Sequence, residues 1–181
     1  MAEFDADIAA AVAIAKRRGV TLKSFVFPRN QYSDGHLGVL GRNGFKVFRG
    51  NERAWAYRAT AGAGQSNFRR ALRLADHYLN LTGQHVHGRL DRAGLVETPA
   101  SRFLRPYSRT LAALDRLRLH RITSALDAAA AAGRTFHLWW HPHNFGANIE
   151  RNFEFLTHIL AQFAKHRDRH GMVSANMGDF A

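Results

Sequence analysis

The chain has 181 residues, with 26 Lys and Arg against 14 Asp and Glu, so its formal charge is +12 with the histidines neutral. A hydrophobic share of 46% and an aromatic share of 11% exclude a disordered chain. The absence of cysteine excludes disulfides, thiolate nucleophiles and Cys-ligated zinc.

In chain order, residues 4–18 read as a helix, with Ile8, Ala11, Val12 and Ala15 on one face and Gly19 as the stop. Residues 22–28 form an apolar run ended by Pro28, which predicts a buried strand. Ser33 caps a short helix to residue 42, and residues 45–49 alternate as a second strand. Residues 50–65 read as a loop. Ser66 then caps a helix to residue 81, with Phe68, Leu72, Ala75 and Leu79 as its buried stripe. A strand is expected near Leu95, broken by Pro99. A long helix over 108–132 turns Leu111, Leu114, Leu117, Ile122 and Leu126 to the core and ends at Gly133. Residues 135–141 are the clearest strand, stopped by Pro142. Asn148 caps a last helix to residue 170, and residues 172–177 predict a final strand. Helices and strands alternate, which implies an α/β fold with parallel strands in a single domain over 1–181. A chain of this length buries roughly 70% of its unfolded surface and needs no staples.

No apolar run approaches the ~20 residues of a membrane span. The early acids Glu3, Asp5 and Asp7 are unlike the basic start of a secretory leader, so a cytoplasmic location is expected. The positive charge fits an acidic partner such as a charged glycan, nucleic acid or an anionic membrane surface. An Arg-rich solvated surface explains it equally well.

Two clusters carry candidate chemistry. In the run Phe-His-Leu-Trp-Trp-His-Pro-His-Asn-Phe (136–145), alternation puts His137, Trp139 and His141 on one face. Pro142 leaves His141 at the strand's C-terminal end, where α/β folds carry their ligands. An imidazole there can hand a proton to a leaving amine. The run Phe-Val-Phe-Pro-Arg-Asn-Gln (25–31) repeats the pattern. Arg29 could hold or orient a carboxylate, and Asn30 could donate to a developing oxyanion. Without such roles, these residues are a hydrogen-bonded histidine turn and a polar surface turn.

These two clusters, together with Gly-Phe-Lys-Val-Phe-Arg-Gly (44–50) and Gly-Met-Val-Ser-Ala-Asn-Met (171–177), resemble the polysaccharide deacetylases of the NodB-homology class. The branch found with surface-polysaccharide genes is the most similar. The resemblance implies a distorted (β/α) barrel, here partial with about five strands. It implies a hydrolase that removes N- or O-acetyl groups from carbohydrate with a divalent metal, often zinc. It makes His141 the general acid, with His143 as its fallback and Arg29 as a further catalytic residue. Asn30, Trp139 and Asn144 are then expected to touch the substrate. The family's two-aspartate strand and its His-x-x-x-His pair are absent from this sequence, so no metal ligand is assigned. The chain resembles the C-terminal portion of such an enzyme, and impaired activity alone is the expectation.

A partial barrel would uncover Phe25, Phe27, Val47 and Phe136, which predicts self-association or pairing with an N-terminal half. Two further clusters weigh less. His85 and His87, with His141 and His143, could make a His-rich metal site, although two flanking glycines favour a loop. Arg102, Arg105, Arg109, Arg116, Arg118 and Arg121 resemble a nucleic-acid patch, but only Phe103 and Tyr107 interleave as stacking rings. The same arginines suit an anionic or lipid-linked sugar. The reading from a different class is a basic binding module without chemistry.

Overall fold

A computed structural model describes residues 1–57 and 67–181 of the chain. The expected Ser66 cap and residues 58–65 of the expected 50–65 loop lie outside the described residues. The protein is mixed α/β. It divides into two compact units: residues 1–51, 89–99 and 175–181 form the first, and residues 52–88 and 100–174 the second.

The first unit contains helices α1 (Ala2–Arg17) and α2 (Asp34–Arg42). Its strands are β1 (Ser24–Phe25), β2 (Val47–Gly50), β3 (Leu90–Arg92) and β4 (Leu95–Pro99). They form one mixed sheet in the order β1-β2-β4-β3. β1, β2 and β4 are parallel, in register Phe25 to Phe48 and Phe48 to Glu97, while β3 runs antiparallel to β4. The β3–β4 hairpin was not expected. Ala93 and Gly94 turn it with φ of 51° and 76°, the left-handed pair whose twist suits two antiparallel strands. β2 has a ladder on each side and is buried along its whole length, as a central parallel strand should be.

Phe27, Leu37, Leu40, Phe45, Phe48 and Ile8 make the first core. Some of its rings meet edge-on, as Phe25 and Phe27 do at 4.9 Å and 69°. Phe27 is 2% exposed and Val47 0%. The expectation that they lie uncovered is therefore wrong: Phe4 of α1 and Tyr32 stack over Phe27 at 6.3 and 5.0 Å. The strand expected over 22–28 shrinks to two residues, because only Ser24 and Phe25 find ladder partners on β2. Ser33 starts α2 as expected, and its backbone N–H donates to His36 Nδ1 at 3.2 Å.

The second unit holds helices α3 (Asn67–Asp76), α4 (Asp115–Ala132), α5 (His143–Gly146) and α6 (Ile149–His170). A two-strand parallel ladder joins β5 (Arg102–Phe103) to β6 (Leu138–Trp139). Gly133 and Gly171 end α4 and α6 with φ of 58° and 66°, as the sequence implies. α4 and α6 enclose Leu104, Ile122, Phe145, Phe155 and Ile159, with Phe136 and Leu138 packed beside them.

Three expectations fail here. The strand over 135–141 is reduced to Leu138–Trp139, because its bonds go to different partners. Thr135 bridges His87, and the His137 N–H donates to Ser101 Oγ at 2.9 Å. The strand over 172–177 is absent and Val173 is 80% exposed. β-branched residues make a strand only where a partner edge exists. A 3-10 turn, Met177–Phe180, follows instead and is capped by Asn176 Oδ1, which accepts from the Gly178 N–H at 2.8 Å. The α3 stripe is also misassigned. Phe68 and Leu79 are exposed, and the residue α3 buries completely is Asp76.

Phe48→Ala should cost about 3–5 kcal/mol in urea denaturation, through a lost ring and the cavity left behind. Phe68→Ala should change stability by no more than about 0.5 kcal/mol. Equal costs would refute this placement of the core.

Candidate functional site

The foundation of the second unit is a carboxylate. Asp76, at the C-terminal end of α3, is fully buried. Its Oδ1 accepts from the backbone N–H groups of Leu81 at 3.0 Å and Thr82 at 2.9 Å. Its Oδ2 accepts from the hydroxyls of Tyr57 and Thr82, both at 2.8 Å. Arg102 donates to the same oxygen, and Arg121 Nη2 lies 3.6 Å from Oδ1. Both guanidinium groups also donate to the Gly83 carbonyl, and Arg121 to Gln84 Oε1. Burial pushes the Asp76 carboxyl up, but Arg102 and the hydroxyl donors outweigh it and hold the group below its ordinary 3.8. Burial and the Asp76 charge push the Tyr57 phenol upward.

This corrects the reading of the arginine series. Arg102, Arg118 and Arg121 are each 3% exposed, so half of the supposed surface patch is internal. Arg118 donates to the carbonyls of Arg105 and Pro106 and lies 3.8 Å over the Phe155 ring. Accordingly α4 turns Arg118, Arg121, Ile122, Ala125, Leu126 and Ala129 inward, while Leu114 and Leu117 are exposed. The His85–His87 pair is likewise structural. Both residues are buried, and His85 Nε2 lies 2.7 Å from Thr82 Oγ1. Among the described residues they join no cluster of metal-ligating side chains.

Arg102 fixes β5, and β5 carries Phe103 against β6. The Phe103 and Trp139 rings are 4.6 Å apart. Trp139 meets His141 edge-on at 5.5 Å and 87°, and His141 stacks on His143 at 5.2 Å and 12°. The expected alternation therefore holds. Trp139 and His141 share one side, while Trp140 contacts Phe145 at 5.7 Å. His141 and His143 are exposed, and Trp139 is half-buried. The result is an open aromatic surface with two imidazoles at its rim.

Asn144 continues the turn, and its N–H donates to the His141 carbonyl at 2.9 Å. Its Oδ1 is buried and has no hydrogen-bond partner among the described residues. The turn is tied down by Asn152 of α6, 4% exposed. Asn152 Nδ2 donates to Ala147 O at 2.9 Å, and its Oδ1 accepts from the Tyr107 N–H at 2.6 Å. Asp76, Arg102, Phe103 and Asn152 position the site, yet the sequence gives no local signal for them. Only the polar positions within apolar helical stripes hint at Asp76 and Asn152.

Arg29 and Asn30 belong to the first unit and His141 to the second. β1 pairs with β2, whereas β6 pairs with β5, so the two clusters do not end adjacent strands of one ladder. Arg29 is exposed. Both Arg29 and Asn30 have φ of 53°, a left-handed pair that costs about 1 kcal/mol or more at the arginine. Asn30 Oδ1 accepts from Arg49 Nη2 at 2.8 Å, and its carbonyl accepts from Asn51 Nδ2 at 3.0 Å. Arg49 of β2 thus holds the side-chain carbonyl of Asn30, not the amide N–H group that would donate to an oxyanion.

Among the described residues no three His, Asp or Glu side chains converge as metal ligands. The donor set does not fit the zinc centre that the resemblance implies, and no chemical step is derived through a metal.

Burial pushes His77 and His85 from the ordinary 6.5 down to about 4. The unfolded chain therefore takes up protons below pH 6.5 that the folded chain refuses until about pH 4. Stability is lost over that window, and Asp76 extends the loss to lower pH. The melting temperature should fall steadily from pH 7 to pH 4, and less steeply in His85→Gln. Asp76→Asn should cost about 3–5 kcal/mol at pH 7, since it leaves buried guanidinium charge uncompensated. A flat pH profile in thermal melts would refute the histidine assignment.

The chain matches no known family model, no curated protein and no solved structure.

Proposed function

We propose that the chain is a polysaccharide deacetylase-like protein that takes an acetylated carbohydrate on the Phe103–Trp139–His141–His143 surface. The observation that carries this reading is Trp139 meeting His141 edge-on at 5.5 Å, beside the exposed His143. An open ring surface suits the C–H face of a sugar, and a sugar held there lies beside an imidazole. In this reading water adds to the acetyl carbon, the bond from that carbon to the sugar nitrogen or oxygen breaks, and His141 gives the proton to the departing atom. Acetate leaves with the water's oxygen, and the water's protons restore His141 and pass to solvent. Such a proton donor contributes about 10²–10⁴ in rate. His143 stacks against the His141 ring and restricts its orientation. Asn144 offers the substrate an amide, and Trp139 supplies the floor. The finer fold belongs to the same proposal: the parallel strands are parts of a distorted (β/α) barrel, and the location is cytoplasmic. Among the described residues no helix is long and apolar enough to cross a membrane.

A second reading shares the surface without chemistry, as a basic module for an anionic glycan. The net charge of +12 favours it. Acetylated amino-sugar oligomers separate the two readings. Binding should quench tryptophan fluorescence, and Trp139→Ala should weaken it at least tenfold. Acetate release, read enzymatically, should fall about 10²-fold in His141→Ala with binding retained. Binding without acetate release would leave the glycan module, and loss of both would refute a carbohydrate role.

A further inference from the structure

α6 is apolar on two sides. Its inner side buries Phe155 and Ile159. Its outer side carries Ile149, Phe153 and Leu160, each a little over half exposed, at 52%, 52% and 53%. Half-buried Leu156 lies between them and half-buried Phe163 follows Leu160 on the same stripe. Leu156 also packs against the inner core, and the Phe153 ring meets Phe145 at 5.4 Å. The stripe steps from residue 149 to 153, 156, 160 and 163, the alternating four-and-three spacing of a coiled-coil seam. A surface helix that faces water normally turns charge outward at such positions. An apolar row of this length marks an interaction face.

Charge selects the occupant. Glu150 stands beside the first seam position, and Arg167 occupies the next seam position after Phe163. Arg167 contacts Asp168 through Nε at 2.8 Å and keeps 59% of its side chain exposed. A second copy laid antiparallel, with the two-fold axis near residue 158, sets Phe153 opposite Phe163 and Leu156 opposite Leu160. The same alignment sets Arg167 opposite Ile149 and one position from Glu150 at both ends. A parallel alignment would set Glu150 against Glu150 and Arg167 against Arg167. We propose that the chain forms a two-fold dimer through the outer face of α6, paired antiparallel with the same helix of a second copy. Such a contact closes on itself and leaves no open end for further growth. The proposal does not depend on the carbohydrate reading.

Sedimentation velocity on the full chain over a concentration series tests this. The wild type should show a monomer–dimer equilibrium. Leu160→Glu should weaken the dimer at least tenfold with an unchanged far-ultraviolet circular dichroism spectrum. Glu150→Arg and Arg167→Glu should each weaken it, and the double variant should restore it, since reversal recreates the pairing. A wild type that stays monomeric throughout overturns the proposal. So does a dimer indifferent to Leu160→Glu, or a double variant no tighter than the singles. A monomer that binds anionic phospholipid vesicles through this face would assign the stripe to lipid and overturn it too.

Discussion

The second unit depends on one buried carboxylate. Asp76 gathers two guanidinium groups, two hydroxyls and two backbone N–H groups. Its contacts reach the Trp55–Tyr57 turn, the segment after α3, β5 and α4, which are far apart in sequence. A buried arginine without such an acceptor would be costly, so the pairing decides whether β5 and α4 can sit where they do. Through Arg102 it fixes Phe103, and through Phe103 it supports Trp139 and His141. The Phe103–Trp139–His141 surface is thus the outer layer of a polar core rather than an attachment to an apolar one.

Local rules served the reading well wherever the cause was local. The Ser33 start of α2, the glycine ends of α4 and α6 and the alternation of Trp139 and Trp140 all follow from neighbours a few residues away. Expectations that needed a distant partner fared worse. Residues 172–177 have strand-forming composition but no edge to join. Arg102, Arg118 and Arg121 read as surface charge because the acceptors that draw them inward, Asp76, the Gly83 carbonyl and the Arg105 carbonyl, lie 13 or more positions away. Arg118 also has a nearby partner, Asp115. The β3–β4 hairpin was missed because Ala93 takes a left-handed conformation more usual for Asn, Asp or Gly.

The candidate site was read unevenly for the same reason. His141, His143, Trp139 and Asn144 are consecutive enough for strand geometry to bring them together. The residues that hold them, Phe103 and Asn152, come from a separate strand and a later helix. At the other cluster, the turn after Phe27 was expected, but not the Arg49 guanidinium that occupies the Asn30 side chain. Nothing in residues 25–31 announces a partner on the next strand.

The two units are interleaved along the chain, which passes from one to the other four times. β4 reaches β2 only after residues 52–88 have been laid down, and the final turn belongs to the unit that begins with α1. Neither unit corresponds to a contiguous stretch of sequence. During synthesis, the first unit lacks two of its four strands until residues 89–99 emerge, and its closing segment arrives last. Its sheet therefore rests on contacts of long sequence separation, the kind that slow folding. Cleavage at a single exposed bond divides at least one unit between two fragments, so one cut cannot separate the two units from each other.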